Sequence, residues 1–293
     1  MSQAVAALLS ILDLERVGEN SFRGYSLRAV RKRIFGGQII SQALVAASRT
    51  VEGRAPHSLH CYFLLPGDPT APISYEVNRL RDGGSFATRR CEAIQHGRTI
   101  FTLTASFHAQ EPGLEHFAPM PEAPDPETLM TRAQMSEAFA HMMPSAMQRY
   151  FAMEGPIDVR PVDMARYYAK ANRTPLPAQQ NIWMRTTGPL PDDPAVHRAV
   201  LAFLSDMTLL DTALVKHQRS VFDEDVMPAS LDHAIWFHRP FRADEWLLYA
   251  QQSPNTNGAR GLAHGGLYAR DGRLVATVMQ EGLLRLRTDK PAS

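Results

Sequence analysis

Apolar residues recur at helical spacing in the segment "FGGQIISQALVAASRTV", residues 35 to 51. Ile39, Ile40, Ala43, Leu44 and Ala47 fall on one face of a helix with about 3.6 residues per turn. Because the segment carries few charges, we expect this helix to be largely buried. The first 20 residues predict a further amphipathic helix at the amino terminus.

Four strand-like runs follow the predicted buried helix. Turn residues separate them, in the segments "PGDP", "RDGG" and "QHGR", which is typical of an antiparallel meander. The runs are "HSLHCYFLL", "PISYEVNRL", "SFATRRCEAI" and "TIFTLTASF". The pattern therefore predicts an α+β unit in which one helix packs on a curved antiparallel sheet.

The second half of the chain repeats this order. It contains an amphipathic segment at 193 to 210, strand-like runs "AIWFHRPF" and "EWLLYAQQS", a loop "PNTNGARG" (254 to 261) and the hairpin "GGLYARDGRLVATVMQEG". Tyr62-Phe63 aligns with Trp236-Phe237 at an offset of 174 residues, and one more residue of offset aligns "HGR" with "DGR". The match indicates a duplication, and copies of such a unit commonly pair to complete a larger sheet.

A proline-rich segment at residues 111 to 128 separates the two copies and gives way to a methionine-rich helical pattern that ends near Tyr150. We interpret this region as a connector. The predicted organisation is an amino-terminal unit at 1–115, a connector at 116–154 and a carboxy-terminal unit at 155–293.

Composition argues against several classes of partner. The 293 residues are 44% hydrophobic with a formal net charge of +1, so no bulk field attracts nucleic acid or an anionic membrane. No window approaches about 18 consecutive apolar residues, so we expect no membrane insertion, and the cytoplasm is the default location. Cys61 and Cys91 lie in apolar runs without CxxC spacing, and we expect two buried thiols.

Two common hydrolytic mechanisms leave no trace in the sequence. "GYSLR" and "GGSFA" both lack the final glycine of a GxSxG nucleophile elbow. No HExxH motif or Cys/His cluster occurs, and His57 and His60, three apart on a predicted strand, would point to opposite faces. We therefore predict neither a serine nucleophile nor a metal or other cofactor.

Eight segments carry a resemblance to a known family: "FGGQIISQAL", "HSLHCYFLLPGDP", "LRDGGSF", "PLPDD", "SLDHAIWFHRPF", "EWLLY", "ARG" and "VATVMQEG". In order and spacing, over roughly residues 10 to 287, the chain resembles the acyl-CoA thioesterase II family. The resemblance implies a tandem, or double, hot-dog fold, in which each unit has a long central helix wrapped by a curved antiparallel sheet. It also implies hydrolysis of acyl-CoA to free CoA and a carboxylic acid.

Asp206 lies between apolar runs in "LAFLSDMTLL", where burial would raise the pKa of its carboxyl group toward the range of a general base. From the residues alone, Ser205-Asp206 could instead cap the next helical turn. The resemblance places the family's catalytic aspartate on Asp206, which would deprotonate a water that attacks the thioester directly.

The resemblance also assigns catalytic roles to Ser230 and Gln280. Ser230 would hold the attacking water, although alone it reads as an ordinary residue at the start of a strand. Gln280 would bind the water or polarise the carbonyl, or else bond a neighbouring loop. Ala105 aligns with Gln280, Pro56 aligns with Ser230, and the helix at 35 to 48 has no carboxylate. We therefore predict one active site per chain, with its polar groups on the second unit.

The phosphates of CoA would be met by arginines near flexible glycines, of which the chain offers Arg81, Arg89, Arg90 and Arg260. Each of them could equally be a solvated surface charge. Gly37, in the "FGGQ" helix start, would present backbone N–H groups to developing negative charge. His60 completes the expected substrate-binding set.

Methionines of the connector region could line an acyl channel or serve as adaptable core filler. They are Met130, Met135, Met142, Met143 and Met147. The apolar surroundings lead us to expect medium-chain or long-chain substrates. Because strand edges in this fold usually pair with a neighbour, we also expect a homodimer or homotetramer.

Two other functions stay open at this point. The first is a non-catalytic acyl-CoA binding or regulatory module, against which the intact polar set of the second copy argues. The second is a hot-dog hydratase or dehydratase, which would need an Asp and a His as an acid/base pair. No such pair is evident near Asp206 in the sequence.

Overall fold

The computed structural model describes residues 2–26, 33–139, 141, 145–152, 154–164 and 176–287. Thirteen strands form a single antiparallel sheet. Strands β1 to β13 are Glu15–Arg16, Ser21–Gly24, Ala55–Phe63, Ile73–Asp82, Phe86–Gln95, Arg98–His108, Ile157–Pro161, Gln179–Thr186, Val226–Ser230, Asp232–Phe237, Leu247–Asn257, Arg260–Ala269 and Leu274–Leu286. Helices α1 to α6 are Gln3–Leu12, Gly36–Ser48, Arg132–Phe139, Ser145–Ala152, Pro194–Ser205 and Thr212–Val215. No helix in these ranges is both long and apolar enough to cross a bilayer.

The predicted buried helix is α2. It begins at Gly36, after the extended backbone of Phe35, and nearly all of its side chains are buried. It packs against strands β2 to β6 and against α5, in a core that also holds the inner-facing side chains of both halves of the sheet. The prediction of a largely buried helix at this position is confirmed.

The strand order is β1-β2-β4-β5-β6-β3-β10-β13-β12-β11-β8-β7, with β9 beside β13. Strands from the two halves of the chain therefore occupy the two halves of the sheet, which meet where β3 pairs with β10. His60 lies opposite Ala234 in that pairing, and the sequence offset of 174 makes these two positions equivalent. The duplication thus coincides with a local twofold relation at the centre of the sheet.

The segment predicted as a loop at residues 254 to 261 is mostly strand. β11 continues to Asn257 and β12 starts at Arg260, while the register of their pairing shifts around Pro254. Proline has no N–H for a strand ladder, so the irregularity accommodates it without ending the strand. The two residues at the hairpin tip have φ of 56° and 57°, the left-handed backbone that a two-residue turn requires.

A bulge in β3 overturns the prediction that His57 and His60 face opposite sides. The register with β6 shifts between Pro56 and Ser58. His57 bonds Ser106 Oγ at 2.8 Å on the outer face of the sheet, the face away from α2 and α5. The exposed side chain of His60 lies on the same face. Within the described ranges, no three His, Cys, Asp or Glu side chains converge closely enough to hold a metal ion.

Residues 116–130, which we call the strap, cross the outer face of the second half of the sheet. Trp183 Nε1 donates to the carbonyl of Pro124 at 2.9 Å. Met120 and Leu129 pack on the aromatic cluster beneath the strap. The side chains that bond the strap are Arg160, Trp183, Arg239, Trp246 and Arg270.

The cysteines and methionines singled out in the sequence differ in burial. Cys61 and Cys91 are buried free thiols, as expected. Met135 and Met147 are buried in a small cluster with Phe139, separate from the main core, and Met130 is exposed. The other two methionines of that set, Met142 and Met143, lie outside the described residues.

Candidate active site

Strand β13 meets two successive strands along one of its edges. β9 pairs with it from Gly282 onward, and β10 pairs with the residues before Gln280. Between these ladders the N–H of Glu281 donates to the Asp232 carboxylate at 2.6 Å. Gln280 and Ser230 lie beside this interruption, where Gln280 pairs with Ala263 of β12 and Ser230 pairs with Gly282 of β13.

Asp206 is the first residue after α5, and its side chain is only 5% exposed. Gln280, fully buried, donates from Nε2 to Asp206 Oδ1 at 2.6 Å and to Ser230 Oγ at 3.0 Å. Both hydrogens of the Gln280 amide are then in use. If the amide were flipped, Oε1 would face the carboxylate and neither bond could form, so these two bonds fix the orientation of the amide. We call Asp206, Ser230 and Gln280 the polar cluster.

The start of α2 faces the polar cluster from the first half of the chain. A β-carbon on Gly36 would lie 2.5 Å from Asp206 Oδ2, and one on Gly37 would overlap the carbonyl oxygen of Phe203. Glycine is therefore needed for this close approach. The first turn of a helix has N–H groups without intrahelical partners and a positive end of the macrodipole, and Phe35 adds no side-chain cap bond.

A histidine also lies beside the polar cluster. His233 Nδ1 is 3.9 Å from Asp206 Oδ1, and Nε2 is 2.9 Å from Ser205 Oγ. Burial lowers the pKa of His233 to about 3, so the imidazole is neutral at ordinary pH. The sequence showed no Asp/His pair near Asp206, because a lone histidine in an apolar strand has no distinguishing sequence pattern.

The carboxylate of Asp206 affects the pKa of two further buried groups. Burial, followed by the nearby Asp206 carboxylate, raises the pKa of the Tyr249 hydroxyl and of the Cys61 thiol. Tyr249 donates to the carbonyl of Ser205 at 3.2 Å. Both groups are therefore neutral at ordinary pH and add no charge of their own to the cluster.

Comparison with known proteins assigns the family. A sequence profile described as "Acyl-CoA thioesterase" matches residues 148–283, and one described as "Acyl-CoA thioesterase N-terminal domain" matches residues 26–108. The chain is 40% identical to "Acyl-CoA thioesterase 2" of Haemophilus influenzae, over 97% of this chain and 99% of the relative. The chain belongs to the acyl-CoA thioesterase II family. It is a thioester hydrolase.

Other relatives agree with this assignment. The thioesterase is 41% identical to human "Acyl-coenzyme A thioesterase 8", over 95% of its own length and 88% of the relative. The crystal structure of the acyl-CoA thioesterase II TesB2 from Mycobacterium marinum superposes with a TM-score of 0.78 at 44% identity, covering 96% of this chain and 99% of that one. A hot-dog protein from Alicyclobacillus acidocaldarius gives 0.76 at 22% identity, with the same coverage, so the fold is a hot-dog fold.

Arg89 was expected to bind substrate, but its side chain is buried and bonds other residues of the thioesterase. The residue is 1% exposed, and all five of its N–H bonds are directed at internal acceptors. Thr50 accepts two of them, and Asp82 accepts one at 2.6 Å. No donor of Arg89 is left for a phosphate.

The other expected binding residues lie apart from the polar cluster, with one exception. Arg81 is exposed near the end of β4, and the half-exposed Arg260 pairs with Glu281 at 3.1 Å. His60 packs edge-on against Trp236 on the outer face, with ring centroids 5.1 Å apart. Gly37 lies in the helix start that faces Asp206. Arg90 is exposed and pairs with Glu92.

Proposed function

We propose that the thioesterase hydrolyses acyl-CoA by direct attack of a water that Asp206 deprotonates. The observation that carries this proposal is the pair of bonds from Gln280 Nε2 to Asp206 Oδ1 (2.6 Å) and Ser230 Oγ (3.0 Å). Ser230 accepts there, so its own hydrogen can be donated to the water.

The chemical steps follow from these positions. Asp206 takes one proton from the water, the water oxygen bonds to the thioester carbon, and negative charge develops on the carbonyl oxygen. N–H groups at the start of α2 stabilise that charge. The C–S bond then breaks with its electron pair on sulfur, the proton on Asp206 passes to the CoA thiolate, and the carboxylic acid is released.

A tandem hot-dog organisation fits the same proposal, with units at 1–115 and 155–293 and a connector at 116–154. The local twofold relation between β3 and β10 supports it. In the first unit, Gln42 follows Ser41 as Asp206 follows Ser205, and it is an uncharged residue bonded by Tyr75. Catalysis would therefore occur once per chain, and we propose medium-chain or long-chain acyl groups as its substrates.

The nearby histidine does not favour a hydratase. A hydratase would use an Asp and a His as base and acid, and the acid must be protonated at working pH. Because the pKa of His233 is lowered to about 3, the imidazole cannot supply that proton near neutral pH.

The test is release of CoA thiol from acyl-CoA substrates of graded chain length. We expect Asp206→Asn to lower kcat by roughly four orders of magnitude, as loss of a base in a catalytic set does, while substrate binding is retained. Asp193→Asn is the matched control. Asp193 caps the other end of the same helix, where its carboxylate accepts from Ala195 N at 2.8 Å, and the side-chain oxygen of asparagine can accept the same bond. A near-normal rate in Asp206→Asn would refute the proposed mechanism.

A further inference from the structure

Ser205 and His233 form a buried pair behind Asp206. The Ser205 oxygen lies 3.0 Å from the carbonyl oxygen of Ala202 and 2.9 Å from His233 Nε2. A hydroxyl has one hydrogen, so when it donates to Ala202 its oxygen accepts from Nε2. In that arrangement Nε2 carries the imidazole hydrogen and Nδ1 carries a lone pair, and the proposal below includes this tautomer.

That lone pair faces the carboxylate. Nδ1 lies 3.9 Å from Asp206 Oδ1, is completely buried, and has no hydrogen-bond partner among the residues the structure describes. Two acceptors side by side cannot bond while Asp206 is ionised. They can bond once Asp206 holds a proton, and long contacts in a free enzyme often tighten in the complex with substrate.

We propose that His233 is a positioning residue that accepts a hydrogen bond from protonated Asp206 during turnover. The inference rests on the proposed function, in which Asp206 takes a proton from water. The bond stabilises the acid form of Asp206, which makes its carboxylate a stronger base, and it holds the proton until the CoA thiolate leaves and takes it. The proton stays on Asp206 until the thiolate takes it and never passes to His233, so His233 undergoes no net change.

The first copy of the unit supports this pairing of roles. Leu59 lies opposite Ala105 there, and the register of β10 with β13 brings His233 opposite Gln280. The sequence offset makes Leu59 equivalent to His233. The imidazole and the carboxylate are thus present together in the second copy and absent together from the matching positions of the first.

Other groups around Asp206 must be separated from His233 in any pH experiment. Burial raises the pKa of Tyr249, Cys61 and Asp232, and of these Asp232 is the one that titrates in the acidic range. Asp232→Asn is therefore included as a control. The groups around Asp206 are Gln280 on β13 with its partner Ser230 on β9, Tyr249 on β11, Cys61 on β3 and the start of α2. Asp232 lies near Cys61 and accepts from the N–H of Glu281.

The experiment is the pH profile of kcat/KM for wild type and His233→Gln, whose amide can still donate to Ser205 but offers no acceptor at the Nδ1 position. We expect the acidic limb to move down by about one pH unit and kcat to fall about tenfold with little change in KM. His197→Gln is the matched control, because His197 is also buried near a carboxylate, with Nδ1 4.0 Å from Asp244 Oδ1. Its pH profile should stay at the wild-type position.

Two results would overturn the proposal: an acidic limb that does not move in His233→Gln, or one that moves to higher pH. The second would mean that Nδ1 carries a hydrogen and donates to the carboxylate. Long-range proton–nitrogen NMR of the wild-type enzyme tests the tautomer without any substitution, and an Nδ1–H signal contradicts the proposal. Asp206→Asn, measured alongside, separates the two ideas: if it is active, the catalytic mechanism fails, and if it is inactive while the limb is unmoved, only the role of His233 fails.

Discussion

Gln280 holds the carboxylate of Asp206 without neutralising it. A cation at 2.6 Å from Oδ1 would favour the ionised form so strongly that the base would be weak, whereas an amide donates a hydrogen and carries no net charge. The same amide reaches Ser230 at 3.0 Å. One uncharged side chain therefore orients both of its partners in the cluster.

Replacing this amide by an acid should change the pH dependence of the enzyme. In Gln280→Glu two carboxyl groups would share a buried site, and each would disfavour ionisation of the other. We expect kcat at neutral pH to fall about 10²-fold and the acidic limb of kcat/KM to move to higher pH. Gln95→Glu alters another buried glutamine, one that bonds the Asp68 segment, and should affect stability alone. An unmoved acidic limb in Gln280→Glu would contradict the assignment.

Arg89 should be important for stability and not for substrate affinity. Arg89→Met removes the donors that Thr50 and Asp82 accept, and we expect the free energy of unfolding to fall by about 3 kcal/mol. KM for acyl-CoA should be unchanged. Arg90→Met, at the neighbouring exposed position, should cost less than about 1 kcal/mol. Denaturant unfolding and steady-state kinetics on both variants decide this, and a raised KM in Arg89→Met alone would return Arg89 to the binding site.

Sequence reasoning reached the residues of the polar cluster but not their neighbour. Asp206 and Gln280 stood out because each is a polar residue inside an apolar run, and the family resemblance separated them from helix caps and strand-end amides. His233 gave no comparable signal, since its role depends on a contact across 27 residues of chain that no local pattern records. Arg89 was expected to meet a phosphate of CoA because it lies near flexible glycines, and neither its spacing nor its neighbours reveal that Thr50 and Asp82 accept its hydrogen bonds.

At the scale of elements, the packing of α2 against α5 positions the carboxylate of Asp206. Helix α5 ends at Ser205, immediately before Asp206. Helix α2 starts beside Asp206 with two glycines, which allow the two helices to approach closely. The helix of the first half therefore supplies one wall of a cluster whose side chains all come from the second half.

The two glycines should separate activity from stability. A β-carbon in Gly36→Ala would meet Asp206 Oδ2, so we expect kcat to fall at least about tenfold while the free energy of unfolding changes by less than about 1 kcal/mol. Gly37→Ala would overlap the backbone of Phe203 and should lower the free energy of unfolding by about 1–3 kcal/mol. Gly84→Ala, where a β-carbon meets nothing within 4 Å, is the control. Equal effects of the first two variants on kcat and on stability would contradict this division.

Long periodic elements were predictable and pairing irregularities were not. Helix α2 followed from its helical period and its glycine start, and the central meander followed from its turns. The extension of β11 and β12 through Pro254 was missed because proline and asparagine signal a loop, while the long hairpin keeps the ladder on both sides. Strands β7 and β8 were not predicted, because β8 alternates weakly and β7 is a short strand at the edge of the sheet, where tertiary pairing decides the structure.

At the scale of the whole molecule, the polar side chains of the candidate site are unevenly distributed along the chain. β3 and β10 join the two halves of the sheet around His60 and Ala234, yet the carboxylate, the amide and the imidazole all come from the second half. The core that holds the sheet together does not depend on these groups, because it is built from α2, α5 and the inner faces of the strands.

This asymmetry predicts the binding stoichiometry. Calorimetric titration with a non-hydrolysable acyl-CoA analogue should give one site per chain, and light scattering on the same sample should show a homodimer or homotetramer. The stoichiometry should stay at one per chain in Asp206→Asn, which keeps the binding surface. Two equivalent sites per chain would contradict the proposal that the first unit has no active site.

The strap gives the molecule an intrinsic optical reporter. Of the three tryptophans in the chain, Trp183 and Trp246 donate their indole N–H groups to strap residues, whereas Trp236 meets His60 edge to face where the two halves of the sheet join. Lifting of the strap would expose two indoles to water and shift their emission to the red, while the third would respond only to events where the halves join. A single Trp236→Phe substitution therefore leaves an emission spectrum that reports on the strap alone.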